Sequence, residues 1–187
     1  NSAVTESRRL LAVALFVALA GCTVTIPDSG TTTPGVTDTS PAPTATNAST
    51  LPVPDGERVA VEITNVVDGD TVDVRLPDGT EDTVRLVGVD TPEVHVENDP
   101  AEFEGVPDSE TGATCLREAG HDASASVEQR VAAGNVTLGF DPNTDRRGGY
   151  GRLLAYVYVG ERNLNYALVA TGHARVYDTD FVLRDSF

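Results

Sequence analysis

An α+β fold that is mainly β, a small closed barrel with helices packed on it, is what this chain predicts. Three observations carry that reading. Five short segments rich in β-branched residues fall between Arg58 and Val159, a strong hairpin turn joins the second to the third, and a helical segment is inserted after the third.

Arg58 to Val67 (RVAVEITNVV) alternates apolar and polar residues, as do Thr71 to Leu76 and Thr83 to Val89. Pro77-Asp78-Gly79 between the latter two supplies the turn residues of a hairpin. Residues 94 to 120 are acidic, with Gly and Pro scattered through them, and predict a long loop of the kind that is usually functional or mobile. Asp122 to Ala133 (DASASVEQRVAA) predicts a helix closed by Gly134. Val136 to Phe140 is the fourth strand and Arg152 to Val159 (RLLAYVYV) the fifth, followed by a short helix over Asn163 to Thr171 ended by Gly172. This order is compatible with a five-stranded oligonucleotide-binding (OB) barrel. The pattern alone does not establish closure.

The first 22 residues predict something other than fold. Arg8 and Arg9 precede eleven apolar residues, LLAVALFVALA, followed by Gly21 and Cys22. A basic start, a short apolar run and small residues read as a secretory signal, and eleven residues fall short of the roughly 20 that span a bilayer. Leu19-Ala20-Gly21-Cys22 resembles a prokaryotic lipobox, which would leave Cys22 as a lipidated membrane anchor; the paired arginines also resemble a twin-arginine export signal. The chain has no Met, even at position 1, which points to a missing or processed start. Residues 23–55 hold 21 Thr, Ser, Pro or Gly among 33 and predict a disordered linker. Residues 56–187 are then the folded domain, exported and either surface-anchored or secreted. With Cys22 consumed, Cys115 is expected to be a half-buried thiol without a disulfide.

Net charge is -16, and every one of the 13 basic residues is Arg. An acidic surface without Lys is the composition of a protein adapted to high salt. A GC-rich genome would explain the missing Lys but not the acidity.

The chemistry gathers in VVDGDTVDVRLPDGTEDTVRLVGVDTPE, residues 66 to 93. Asp70 and Asp90 sit at strand edges that the hairpin can bring together. Converging carboxylates repel unless a cation lies between them, and hard oxygen ligands select Ca²⁺ or Mg²⁺. Glu93 follows Asp90 by three, with Pro92 stiffening the connection. Singly, each motif is equally a turn or a helix cap. Arg85 lies inside a strand, and Arg152 opens the fifth after a Gly-rich approach; each is a structural ion pair or a phosphate clamp. Together they are the parts that phosphoryl transfer needs. His95, His121 and His173 are scattered and carry no metal signature. Asn47 and Asn135 open glycosylation-type triplets, which also arise by chance.

VVDGDTVDV, VRLVGVDTPE and TDRRGGYGRLLAYVYV, in that order, resemble the thermonuclease (staphylococcal nuclease-like) family from about Arg58 to Phe187. The resemblance implies an OB barrel with helices and Ca²⁺-dependent cleavage of DNA and RNA. It implies Asp70 and Asp90 as Ca²⁺ ligands with the Thr91 carbonyl as a third, and Glu93 as the carboxylate that activates or orients water. It further implies Arg85 and Arg152 on the scissile phosphate, and Tyr150 lining the nucleotide pocket, with barrel packing as the bland alternative. In-line attack of water with departure of the 5′ oxygen would follow, by a monomeric enzyme. Three departures stand out: a longer, more acidic loop after Glu93, two extra residues in Arg146-Arg147-Gly148-Gly149, and an expected C-terminal helix missing beyond Phe187. Two rivals remain: a non-catalytic single-strand-binding OB module, which would show exposed stacking aromatics, and a structural envelope lipoprotein indifferent to divalent ions.

Overall fold

The computed structural model describes Leu51, Val53, Pro54 and residues 57–187. The signal peptide, lipobox Cys22, Asn47 and most of the linker lie outside the described residues. Among the described residues no helix is long and apolar enough to cross a membrane.

The first strand, β1 (Val59–Val66), exposes alternate residues, as a half-buried strand should. It pairs antiparallel with β2 (Thr71–Arg75) through a register shift between Ile63 and Asn65. The hairpin from β2 to β3 (Glu81–Leu86) turns at Pro77-Asp78-Gly79, where Gly79 takes φ +86° and the Asp78 side chain accepts from Thr80 N. β5 (Val136–Gly139) pairs with β1, and β6 (Leu153–Val159) pairs antiparallel with β5 and parallel with β3. That parallel pairing closes the cycle β1-β2-β3-β6-β5 into the five-stranded OB barrel.

β6 is almost uniformly apolar because both of its faces are covered. Leu153, Ala155 and Val157 join the barrel interior with Val72, Val84 and Leu138. Tyr156 and Tyr158 face outward into a second cluster with Val53, Phe181 and Leu183. Val53 thus packs against the barrel although it falls within the predicted linker.

Two expectations are corrected. The predicted strand over Thr83–Val89 divides: β3 ends at Leu86, the chain turns through Gly88, and Val89–Asp90 form a separate short strand, β4. β4 pairs with β8 (Arg175–Val176), an element too short to leave a periodic signal. The predicted loop over 94–120 ends at Ser109, apart from one 3-10 turn at Pro100–Glu102. The helix α1 occupies Glu110–Val131 rather than starting at Asp122. Ser109 caps it by accepting from Gly112 N, and its buried face runs Gly112, Leu116, Gly120, Ala123, Val127 at helical spacing. Glycines 112 and 120 read as breakers in sequence, yet Gly120 is demanded by proximity: a β-carbon there would meet Pro92 O at 2.5 Å.

After a short strand β7 (Arg162–Asn163), α2 (Leu164–Ala170) lies within the predicted Asn163–Thr171 helix and ends, as predicted, into Gly172, at φ +74°; the Asn163 side chain caps its start. Asn165, fully buried, accepts from Val157 N and donates to Val87 O, both at 2.9 Å, which ties α2 to the barrel wall. Cys115, half-buried on α1, is disulfide-bonded rather than the free thiol expected.

Candidate active site

The site begins at the tight turn Asp68-Gly69-Asp70 before β2. Asp68 Oδ1 accepts from Asp70 N at 3.1 Å, the side-chain bond that makes Asp a turn former. Gly69 is required by crowding, since a β-carbon would meet Ala123 Cβ at 2.7 Å and Thr91 Oγ1 at 2.8 Å. α1 therefore presses the turn and the 91–94 segment together. Asp70, 5 % exposed, accepts from Thr91 N at 2.9 Å through Oδ2 and from Thr71 Oγ1 at 3.1 Å through Oδ1.

Arg85 projects between the flanking buried Val84 and Leu86 and sits between the two aspartates. Its Nη2 pairs with Asp90 Oδ1 at 2.9 Å, and its Nη1 forms an ion pair with Asp70. That second contact lacks the angles of a hydrogen bond, so the buried Nη1 has no hydrogen-bond partner. Burial pushes the Asp70 carboxyl up to about 7; Arg85 opposes the rise and Asp68 adds to it. The nearest cation therefore does not offset the desolvation of Asp70.

Glu93 is exposed but held by its backbone. Asn98, itself buried, accepts from Glu93 N at 2.7 Å and donates to Glu93 O at 2.8 Å. Partial burial raises the Glu93 carboxyl above the ordinary glutamate range, with Asp68 and Asp90 adding to the rise and Arg85 and Arg152 opposing it. Arg152 reaches Thr71 Oγ1 at 3.4 Å and lies 5.6 Å from the centre of the Tyr150 ring. Tyr150 is 91 % exposed, so it does not pack the barrel.

A cleft of about 880 Å³ brings Arg85, Asp90, Glu93, Tyr150 and Arg152 to one wall system, with Asp70 buried beneath it. The sequence match that decides the family spans residues 83–185, more than half of the chain, against the model described as staphylococcal nuclease homologue. The chain belongs to that family.

Among individual relatives, it is 38 % identical over 133 residues to an uncharacterized protein of Methanocaldococcus jannaschii, covering 67 % of this chain and 63 % of that one. It is 39 % identical over 118 residues to Endonuclease YncB of Bacillus subtilis, covering 63 % of this chain and 48 % of the relative. With a Thermonuclease of Staphylococcus hyicus the identity is 32 % over 114 residues, covering 61 % and 57 %. The chain thus spans about half to just under two thirds of the length of these relatives.

As a staphylococcal nuclease homologue, the chain has a donor set suited to a hard divalent cation. Asp70 and Asp90 offer carboxylate oxygens on either side of one guanidinium. Among the described residues, no group of three His, Cys, Asp or Glu side chains forms a ready-made metal cage. The donor set would therefore need the backbone or water to complete it.

Sequence reasoning missed two residues here. Arg175, on β8, donates from Nε to Asp90 Oδ2 at 2.8 Å, pairs with Glu102 and packs 4.5 Å from the centre of the Phe103 ring. Only the β4–β8 pairing, Asp90 opposite Arg175, brings it there. Asn98 was hidden inside a segment that reads as irregular. The only sequence signal for it was the pairing of Asn98 with Asp99-Pro100, a capping pattern at which the 3-10 turn does begin.

Proposed function

We propose that this chain is a Ca²⁺-dependent nuclease that hydrolyses phosphodiester bonds of DNA, and of RNA, by attack of water on phosphorus. The observation that carries the reading is the shared cleft: Arg85 and Arg152 flank Glu93 and Asp90 on one open surface. Family membership supports it, as do relatives named endonuclease and thermonuclease.

In this reading Asp70, Asp90 and the Thr91 carbonyl hold the cation. When bound, it would supply Lewis-acid stabilisation of charge on a phosphoryl oxygen. The residues of the chain do the rest. Arg85 and Arg152 bind the scissile phosphate and match negative charge as it builds on the phosphoryl oxygens. Glu93, its carboxyl raised by partial burial, orients the attacking water and accepts its proton at a carboxylate oxygen. The bond from phosphorus to the 5′ oxygen breaks, the departing oxygen takes a proton from solvent to become a 5′-hydroxyl, and a 3′-phosphate remains. Tyr150 stands at the rim as a surface for the nucleotide.

The strongly acidic surface belongs to the same proposal. At molar salt the screening length falls to about 3 Å, so remote carboxylates no longer repel the substrate while contact arginines still act. We place the domain outside the cell, tethered through a lipid on Cys22. Intact mass of the mature chain tests the lipid on Cys22.

The test is cleavage of a quenched fluorescent single-stranded DNA across a Ca²⁺ titration in molar KCl, with Glu93→Gln and Arg152→Ala beside the parent. Ca²⁺-dependent cleavage that both substitutions cripple supports the nuclease. A single-strand-binding module is the second reading, favoured by Tyr150 and Tyr177, both exposed on the cleft. Binding without cleavage by a folded parent would select it.

A further inference from the structure

Arg152 has little of its own to hold it. Among the described residues its one side-chain hydrogen bond is the long contact to Thr71, and it leaves a turn with glycine at 148, 149 and 151, the last at φ +78°. Glycine-rich backbone loses more freedom on ordering than any other. Local bonds fold the turn on itself: Gly148 N donates to Arg152 O and Gly151 N to Gly148 O, both at 2.9 Å, while Arg147 bridges to Leu153. The β3–β6 ladder already sets Leu153 opposite Val84 and Leu154 opposite Arg85, but none of these bonds ties the turn itself to β3, which carries Arg85.

One side chain does. Arg147 Nη1 donates to Gly151 O at 2.6 Å and to Asp82 Oδ1 at 3.1 Å, and Nη2 donates to Asp82 Oδ2 at 2.5 Å. Asp82 lies on β3 three residues before Arg85 and is mostly covered, its side chain 15 % exposed, with Oδ1 also accepting from Thr83 N at 2.9 Å. A single planar guanidinium therefore grips the strand that bears one cleft arginine and the backbone of the turn that bears the other. A forked, two-oxygen contact fixes direction as well as distance. Arg147 also lines the cleft, yet both of its terminal nitrogens are already committed to Asp82 and Gly151 O.

We infer that Arg147 and Asp82 are positioning residues that set Arg152 against Arg85 for the phosphate. The inference rests on the nuclease reading. A merely structural role is unlike it in effect: Arg147 is half exposed, and exposed ion pairs contribute little stability. A direct phosphate contact by Arg147 is unlike it in sign, because freeing Arg147 from Asp82 would then help binding.

The full chain with Arg147→Ala, Asp82→Ala and both together separates these roles. Each single change should lower kcat between about tenfold and a hundredfold, the scale set by misplacing a reacting group, with KM within about twofold and Tm nearly unchanged. The double variant should be no worse than either single one, and Asp82→Glu should restore part of the rate. Hydrogen exchange provides an arm independent of cleavage: the amides of Gly148, Gly151 and Leu154 should lose protection in both single variants. An Asp82→Ala protein with wild-type kcat, or with lowered KM, overturns the inference, as do losses that multiply in the double variant. A wild type that cuts nothing with any divalent ion removes the nuclease reading and the positioning role with it. Unchanged exchange in an active Arg147→Ala protein removes the clamp alone.

Discussion

Arg175 and Arg85 hold the two oxygens of Asp90 from opposite sides, Oδ2 at 2.8 Å and Oδ1 at 2.9 Å. Arg175 is also the residue that draws Glu102 and Phe103 of the acidic segment toward the cleft. Arg175→Ala should cost about 2 kcal/mol of stability, between an exposed and a buried ion pair. Denaturant unfolding measures it, and the amides of Glu102 and Phe103 should exchange faster. A loss under about 0.5 kcal/mol would mean that water screens the pair.

Asn98 reads both backbone groups of Glu93 from a buried position. Asn98→Ala should cost about 2 kcal/mol, because buried partners are left unsatisfied. Asn98→Asp keeps the acceptor for Glu93 N but turns an oxygen toward Glu93 O, so it should rescue neither stability nor cleavage. Thermal unfolding and cleavage rate, measured on the same preparations, check both outcomes.

Gly120→Ala inverts a familiar rule. In an ordinary helix interior this change gains about 1 kcal/mol. Here the new β-carbon would meet the Pro92 carbonyl at 2.5 Å and Val94 Cγ1 at 3.0 Å. The helix must shift, and overpacking of this kind costs about 1–3 kcal/mol. Tm should fall. A rise would show that α1 moves away from the 91–94 segment without penalty.

Tyr156 is buried and donates its hydroxyl to Asp141, whose Oδ2 also accepts from Val182 N at 2.8 Å. Burial, with Asp141 beside it, raises the Tyr156 phenol well above its ordinary value of 10.0. A raised folded-state value contributes stability that is complete below the unfolded value and is lost as pH climbs beyond it. Stability should therefore fall above about pH 10, by up to about 1.4 kcal/mol per pH unit from this group. Tyr156→Phe should be less stable at pH 8 and show a shallower alkaline slope. Equal slopes in denaturation from pH 8 to 11 would exclude Tyr156 as the source.

Local chemistry made part of the site legible. Asp70 and Asp90 stand where a hairpin with Pro77-Asp78-Gly79 must bring its ends together, and both do meet around Arg85. Mid-strand placement of Arg85, with Val84 and Leu86 on the opposite face, follows from the two-residue repeat of a strand. Tyr150 was open to two readings, and its exposure excludes packing. Glycine misled at α1. The residue that is unfavourable within a helix is there because another backbone lies against it, which no pattern within the helix reveals.

What the sequence determined by itself was everything written in short-range periodicity: five barrel strands, one hairpin, the capped helix α2, and the carboxylates and arginines that flank them. Tertiary structure alone decided how far α1 extends, that β4 exists as a pair with β8, and that Arg175 meets Asp90, Asn98 holds the Glu93 backbone and Arg147 grips Asp82. The physical reason is distance along the chain. A strand or helix records its environment every two or nearly four residues. Asp90 and Arg175 meet across 85 positions and Asp82 and Arg147 across 65, and contacts so remote impose no repeat on either segment.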